Sequence, residues 1–431
     1  MNNATMRLKK LTSAGVTVVM LSSLLAACSG GGKDGGTTSS GNDKAEVSMM
    51  LAESVFNHIQ DKLIEEFESS HQNIKIKVET LPDGSLFDTL RTRIATGELP
   101  DIYQLNIGHD TTTMADKAGY IYDLSKLEAS QNFSESIRKA TSLKDKQAIF
   151  TNGLGVLGLN YNKAMLKDVG YNEPPQTWDQ LMDAGKKLKE KGKDLLVYSS
   201  KWETGIGNVF HWTFGAHAVK NDAFKQAYLS NSVDWSLPDN RAILEEGFKR
   251  FKDLNEFVRT GSFTNEYAIA QQSFANGDAA MLLGGTWEAK TLHELNTDLD
   301  FGFINLPYET DEKNAYVFVP EDGFAINAKS QHVEEAKVFL NWLFSKEIYG
   351  KLNEAAGSLS AMPGVGKPDE AYSDVPNWLQ TDRVISFANT GPIPGATWIA
   401  LGNAAQEYTF KGDLDKAIDK FISEYNKTKA K

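Results

Sequence analysis

The 431-residue chain carries 57 acidic against 45 basic residues, a formal net charge of −12, which argues against nucleic acid or an anionic lipid surface as its partner. Its one cysteine, Cys28, excludes a disulfide within the chain. No apolar run beyond residue 27 reaches the roughly 20 residues needed to span a bilayer, so no membrane-spanning helix is expected in the body of the protein.

At the amino terminus Arg7, Lys9 and Lys10 precede an apolar stretch from Val16 to Ala27, the layout of a secretory signal peptide over residues 1–27. Leu25-Ala26-Ala27-Cys28 ends that stretch, and small residues before a cysteine resemble the lipobox of bacterial lipoproteins, in which the cysteine is acylated and becomes the first residue. Cys28 is therefore the expected lipidation site. Two or three acyl chains, palmitate among them, make such an anchor durable where one does not. Ser29 to Asp43 is rich in Gly, Ser and Thr without an apolar residue, so residues 28–43 read as a lipidated, flexible tether. The roughly 390 residues beyond it exceed what one hydrophobic core organises, and two lobes are expected.

Glu46 to Leu51 reads as a first strand, and Val55, Phe56, Ile59, Leu63 and Phe67 then recur at helical spacing. Ile74 to Val78 alternates as a second strand. Leu86, Phe87, Leu90 and Ile94 mark a helix closed by Gly97, and Pro100 to Leu105 a third strand. Strand, helix, strand, helix, strand is the pattern of a doubly wound sheet. The loops after its strands, with Glu53 and Asn57 and then Asn106 to Asp110, should line a cleft. Gly153, Gly155 and Gly158 form a formal G-x-G-x-x-G, but Val156 to Tyr161 runs through them as a strand, so a hinge where the chain crosses between lobes is preferred to a dinucleotide site.

Pro174-Pro175 stops the next segment, and Thr177 with Gln180 makes a capping box for a helix carrying a core-facing Trp178. Residues 195–217 read as a strand followed by an aromatic, glycine-rich loop, with Trp202, Glu203 and Trp212 as candidates or, for Trp212, as helix packing. Asn276-Gly-Asp278 is a turn, Ala279 to Leu283 an apolar run suited to a parallel strand covered on both faces, and Gly284-Gly285 a place where another group comes close. Trp287 then stands just past the strand's carboxyl end, where open α/β sheets bind ligands; the competing reading is a core tryptophan. Tyr316 to Ile326 gives two strands around a Gly turn and a second crossing. Val333 to Leu343 is a core-facing helix that leaves Trp342 partly buried. Residues 356–395 are irregular and end in the cluster Pro392-Ile-Pro-Gly-Ala-Thr-Trp398, before helices with Leu414, Ile418, Phe421 and Tyr425.

No catalytic constellation assembles: the seven histidines are scattered, and no H-E-x-x-H, G-x-S-x-G or P-loop occurs. No metal or cofactor is expected. Glu53, Asp110, Glu203, Glu288 and Asp322 all fall in expected loops, so a pair of carboxylates for glycoside hydrolysis stays open. What stands out is tryptophan beside carboxylate or amide, as in Trp202-Glu203, Trp287-Glu288 and Trp398 near Asn403. Indole faces pack on the apolar faces of pyranose rings while planar carboxylates and amides bind hydroxyls, which is the chemistry of sugar recognition.

With these residues the chain resembles the extracellular solute-binding protein family 1, the maltose-binding-like sugar receptors of ABC importers. The motifs that carry the resemblance are the lipobox, Gly97-Glu-Leu-Pro-Asp-Ile-Tyr, Leu159-Asn-Tyr-Asn-Lys163, Pro174-Pro-Gln-Thr-Trp178, Phe274 to Trp287 and Gly357-Ser-Leu-Ser-Ala-Met-Pro363. The resemblance implies an α/β, two-lobed periplasmic-binding-protein-like fold of class II type, each lobe a doubly wound sheet, with a hinge between them. On that fold residues 44–154 and 311–356 form lobe one, and 155–310 and 357–431 lobe two. Trp287 matches the family's sugar-stacking tryptophan and Trp398 a second stacking aromatic. Trp202 with Glu203 falls in the loop that supplies further contacts, the loops at Glu53 and Asn57 and at Asn106 to Asp110 match the first lobe's polar contacts, and Asp322 and Glu288 are further candidate ligand contacts. Gly153 to Gly158 and Leu105 depart from the maltose-type pattern, which counts against maltodextrin. The implied function is a monomeric lipoprotein, held to the membrane by lipid only, that passes an oligosaccharide to permease subunits. The alternatives are a sugar-sensing lipoprotein for a membrane kinase and a secreted glycoside hydrolase.

Overall fold

Val47, Met49 and Leu51 face one side of the first strand and Met50 and Ala52 the other, and all five are buried. A strand covered on both faces is the internal strand of an α/β sheet. The computed structural model describes residues 44–429 except 57–59, 83–84, 108, 202–204, 310–313, 321, 379–380, 382 and 387–394. Its strands are β1 (Ala45–Ala52), β2 (Ile74–Leu81), β3 (Ile102–Leu105), β4 (Ser142–Leu143), β5 (Lys146–Gln147), β6 (Phe150–Thr151), β7 (Leu154–Asn162), β8 (Asp194–Val197), β9 (Ala279–Gly285), β10 (Phe301–Ile304), β11 (Tyr316–Pro320), β12 (Gly323–Ile326) and β13 (Val384–Ser386).

Two sheets organise the protein. The first has the order β2-β1-β3-β12-β6, with β1 parallel to β2 and β3, and β12 antiparallel to β3. Leu63 and Phe67 of the helix Gln60–Ser70, with Phe339, Leu340 and Leu343 of Val333–Leu343, cover one face. Leu86, Leu90 and Ile94 of Leu86–Thr96 cover the other. That helix stops at Gly97, whose φ of 80° is the left-handed cap its sequence anticipates.

The second sheet has the order β13-β11-β7-β9-β8, with β10 also paired to β7. Leu157, Leu159 and Leu283 face a thick helical layer that includes Pro238–Asn255 and Gly395–Lys411. Val156 and Leu282 face the helices Tyr267–Ala275 and Ala289–Leu295. The expected parallel strand at Ala279 to Leu283 is parallel to β8 but antiparallel to β7. Its apolar run reports burial on both faces, which a mixed sheet supplies equally well. Trp178 and Trp342 are half-buried, so Trp178 is less enclosed than its sequence suggests.

The chain passes between the sheets three times, side by side. The first passage joins β6 to β7 through Asn152 and Gly153, so the first glycine of the formal fingerprint lies in the crossing and Gly155 and Gly158 lie within β7. A second joins β11 to β12, and Asn152 N donates to Asp322 O at 3.0 Å. The third follows Gly357, where Leu154 N donates to Leu359 O at 2.8 Å. Tyr349 clamps two of them, its hydroxyl donating to Asn152 O at 3.0 Å and accepting from Ala361 N at 3.1 Å. These pairings shift two of the expected lobe boundaries. Tyr316–Pro320 is hydrogen-bonded to β7 in the second sheet, not in the first lobe. After Gly357, Leu359 packs with the second sheet, but Ala361 and Met362 return to the core of the first. Crossing segments pair on both sides, so a boundary drawn at a turn in the sequence misses where the hydrogen bonds change partner.

Candidate functional site

The carboxyl ends of β1 and β3 lie on the same edge of the first sheet as the start of β12, because Leu105 pairs with Gly323. Gln104 is buried there at the end of β3; its Oε1 accepts from Ala52 N at 2.7 Å, and its Nε2 donates to Asp322 Oδ2. Asn106 Nδ2 donates to the other carboxylate oxygen of Asp322 at 2.6 Å. Two amides thus hold the Asp322 carboxylate over the strand ends. Asn106 is fixed in turn, its carbonyl accepting from Thr112 Oγ1 at 2.6 Å and from His109 N at 3.0 Å. The expected Asn106 and Asp322 are therefore brought together, and Gln104, which the sequence reading passes over, joins them. A buried glutamine at a strand's carboxyl end, one turn from a switch point, is the signal that would have found it.

Glu53, the first residue of the short helix Glu53–Phe56, is exposed at the end of β1. Asp110 is engaged elsewhere: Arg91 grips it through Nη2 at 3.1 Å and Nε at 3.3 Å, tying two helices of the first sheet together. That ion pair gives Asp110 a structural partner within the first lobe. Asn57, Trp202, Glu203 and Cys28 lie outside the described residues.

On the second sheet, β9 ends at Gly285, paired with Leu157 near the start of β7. Thr286 carries the pairing one step further with its side chain, Oγ1 donating to Leu154 O at 3.1 Å and accepting from Val156 N at 3.2 Å. This pins Trp287 beside the first crossing. The indole lies across the strand end, since a Cβ on Gly285 would meet its six-membered ring at 2.2 Å. It is half-buried, and its Nε1 donates to Tyr267 Oη at 3.1 Å. The close approach anticipated from Gly284-Gly285 is thus the indole itself on Gly285, and the Glu288 carboxylate on Gly284, where a Cβ would lie 2.7 Å from Oε1.

Glu288 and Trp398 are corrections. Glu288 is fully buried; its carboxylate accepts from Tyr267 Oη and from Gln271 Nε2 at 2.8 Å, so it faces inward although its neighbour Trp287 does not. Burial, reinforced by this carboxylate, pushes the Tyr267 hydroxyl well above its usual pKa and keeps it a donor. Trp398 is 7 % exposed, with its ring centroid 4.7 Å from that of His211. Trp398, Leu401, Ala405 and Tyr408 recur along one face of the helix Gly395–Lys411, and that face packs on the core. Trp212, at 4 % exposure, is helix packing as well.

The arrangement offers a fixed aromatic face on one sheet edge and a fixed amide and carboxylate cluster on the other, joined through the 152–154 crossing. Among the described residues no helix is long and apolar enough to cross a membrane, and no group of side chains could hold a metal ion.

The family model described as bacterial extracellular solute-binding protein matches residues 57–349. The multiple sugar-binding protein of Streptococcus mutans is 25 % identical over 330 residues, covering 75 % of this chain and 76 % of that protein. The sn-glycerol-3-phosphate-binding periplasmic protein UgpB of Escherichia coli is 27 % identical over 375 residues, covering 80 % and 81 %. Among solved structures, RafE in complex with raffinose superposes with a TM-score of 0.76 at 20 % identity, over 90 % of this chain and 100 % of that one.

Proposed function

The chain belongs to the bacterial extracellular solute-binding protein family, and from that premise we propose that it captures an oligosaccharide between the facing edges of its two sheets and delivers it to the permease subunits of an ABC importer. The observation that carries this reading is Trp287, a half-buried indole floored by Gly285 and tied at Nε1, beside the crossing that leads to Gln104, Asn106 and Asp322. An indole face covers the apolar side of a pyranose, and planar amides and carboxylates bind its hydroxyls. Relatives named for sugars support a carbohydrate. A phosphate monoester would ask for cations or bare N–H donors, whereas the first-sheet edge presents the carboxylates of Asp322 and Glu53.

Binding draws the sheets together by rotation about the three crossings, which the ligand favours by touching both edges. Trp202, Glu203 and Asn57 are further candidate contacts. Cys28 carries the lipid that holds the protein, as a monomer, on the outer face of the cell membrane, and the sugar is handed on unchanged.

A thermal-shift panel of raffinose, stachyose, diacetylchitobiose and sn-glycerol-3-phosphate tests the reading. A ligand at 100 times its Kd stabilises by about 2.7 kcal/mol, so one oligosaccharide should raise the melting temperature clearly. A response to sn-glycerol-3-phosphate with none to the sugars overturns the carbohydrate assignment. For the anchor, Cys28→Ala should move the protein from the membrane fraction to the soluble one.

A further inference from the structure

A fully buried carboxylate is costly unless it is paired, and two partners of Glu288 stand on one helix. Tyr267 and Gln271 stand four residues apart on the helix Tyr267–Ala275, hence on one face, and both donate to Glu288. Tyr267 also accepts from the Trp287 indole, so the hydrogen bonds run in one direction: indole N–H to phenol oxygen, phenol O–H to carboxylate. A carboxylate only accepts, so it commits the phenol's one proton and turns the phenol lone pairs toward the indole. Gly284 and Gly285 make room for the two halves of this relay: a Cβ on Gly284 would lie 2.7 Å from Glu288 Oε1 and 3.1 Å from Tyr267 Oη, and one on Gly285 2.2 Å from the six-membered ring of the indole.

We propose that Tyr267 and Glu288 are positioning residues for the Trp287 platform, fixing the indole with its N–H inward and its six-membered ring across the strand end before ligand arrives. This rests on the reading of Trp287 as the face on which an oligosaccharide stacks. Preorganisation of this kind raises affinity because the side chain is not ordered at the moment of binding. Neither residue touches the sugar; both act through the indole.

The test is 15N-indole NMR of the whole mature chain together with sugar titrations. The Trp287 Nε1–H signal is assigned by its loss in Trp287→Phe. In Tyr267→Phe that signal should shift and exchange faster with water, and Glu288→Gln, a near-isosteric change, should move it in the same direction. Affinity for raffinose, stachyose or diacetylchitobiose, whichever binds, should fall about three- to tenfold in Tyr267→Phe, the range for immobilising one side chain on binding. In a Trp287→Ala background Tyr267→Phe should change affinity no further. An indole signal unmoved in both variants, or an affinity loss of equal size in both backgrounds, overturns the positioning role while leaving the platform standing. A Trp287→Ala protein that binds the sugars normally overturns the platform itself.

Discussion

Trp287 and Trp398 look alike along the chain. Trp287 follows Gly285-Thr286 and Trp398 follows Gly395-Ala396-Thr397, and each has an amide or carboxylate close by. In both cases the threonine is hydrogen-bonded: Thr286 to Leu154 O at 3.1 Å, and Thr397 to Thr428 Oγ1 at 2.8 Å. The elements they stand on separate them. Trp287 leaves the end of β9, where the ladder stops and two glycines clear a floor, so one side of its ring has backbone beneath it and the residue stays half-exposed. Trp398 is in the first turn of a seventeen-residue helix whose inner face is filled by Leu401, Ala405 and Tyr408, and it goes in with them. A strand's carboxyl end holds an aromatic at an edge; the apolar stripe of a helix puts one in the core.

That contrast breaks most visibly at Trp398. Trp398→Ala should cost about 3 to 5 kcal/mol of stability, the range for emptying a large aromatic site, while the folded fraction binds sugar as before; denaturant melts and titration calorimetry on one preparation read both. Trp287→Ala should do the reverse, with melts near wild type. If the sugar covers ~100 Å2 of indole, binding should weaken by about 2 to 3 kcal/mol at about 25 cal/mol per Å2. A Trp287→Ala protein that melts early and binds normally would exchange the two roles.

Gly285→Ala sharpens the comparison from beneath the ring. Its Cβ would stand 2.2 Å from the indole, so the ring must lift, at about 1 to 3 kcal/mol of strain. Calorimetry should show weakened sugar binding in a variant that retains Trp287. An alanine that changes neither stability nor affinity would mean that the indole does not rest on the strand end.

The smallest effect lies on the helical side of the second sheet. The His217 hydrogen bond, against partial burial and with help from Tyr308 and Arg250, holds the Glu246 carboxyl down to about 2 from its ordinary 4.5. A depressed carboxylate contributes stability above its unfolded value, and that stability is lost as pH falls from about 4.5 toward about 2. The pair is 36 % exposed on each side, so after solvent screening the contribution is about 1 kcal/mol or less. Urea melts at pH 5 and pH 2.5 should differ by that amount less in Glu246→Gln than in wild type.

Much of the frame was legible from local pattern. β1, β2 and β3, the helix cap at Gly97, the Thr177 cap and the buried run of β9 all appear within about three residues of their expected bounds, because each depends on neighbours a few positions away, although the Gln180 side chain accepts from Gln176 N rather than closing the capping box on Thr177 N. Two lobes follow from length, and the strand-end position of Trp287 from the glycines before it. In the sequence Asn106 and Asp322 stand in separate loops; that Asp322 accepts from both Asn106 and Gln104 is not legible there, because 216 residues separate Asn106 from Asp322.

The sequence by itself determined the elements, the α/β class and the tryptophan at the end of β9, since helical and strand periodicity and the demand of small residues for close approach are properties of a short window. Only the tertiary structure decided which way each candidate faces. Trp398 went into a core, Glu288 turned inward to Tyr267 and Gln271, Asp110 was taken by Arg91, and β11 joined the second sheet. Each of those outcomes depends on a partner distant in sequence, which folding brings within hydrogen-bond or van der Waals reach.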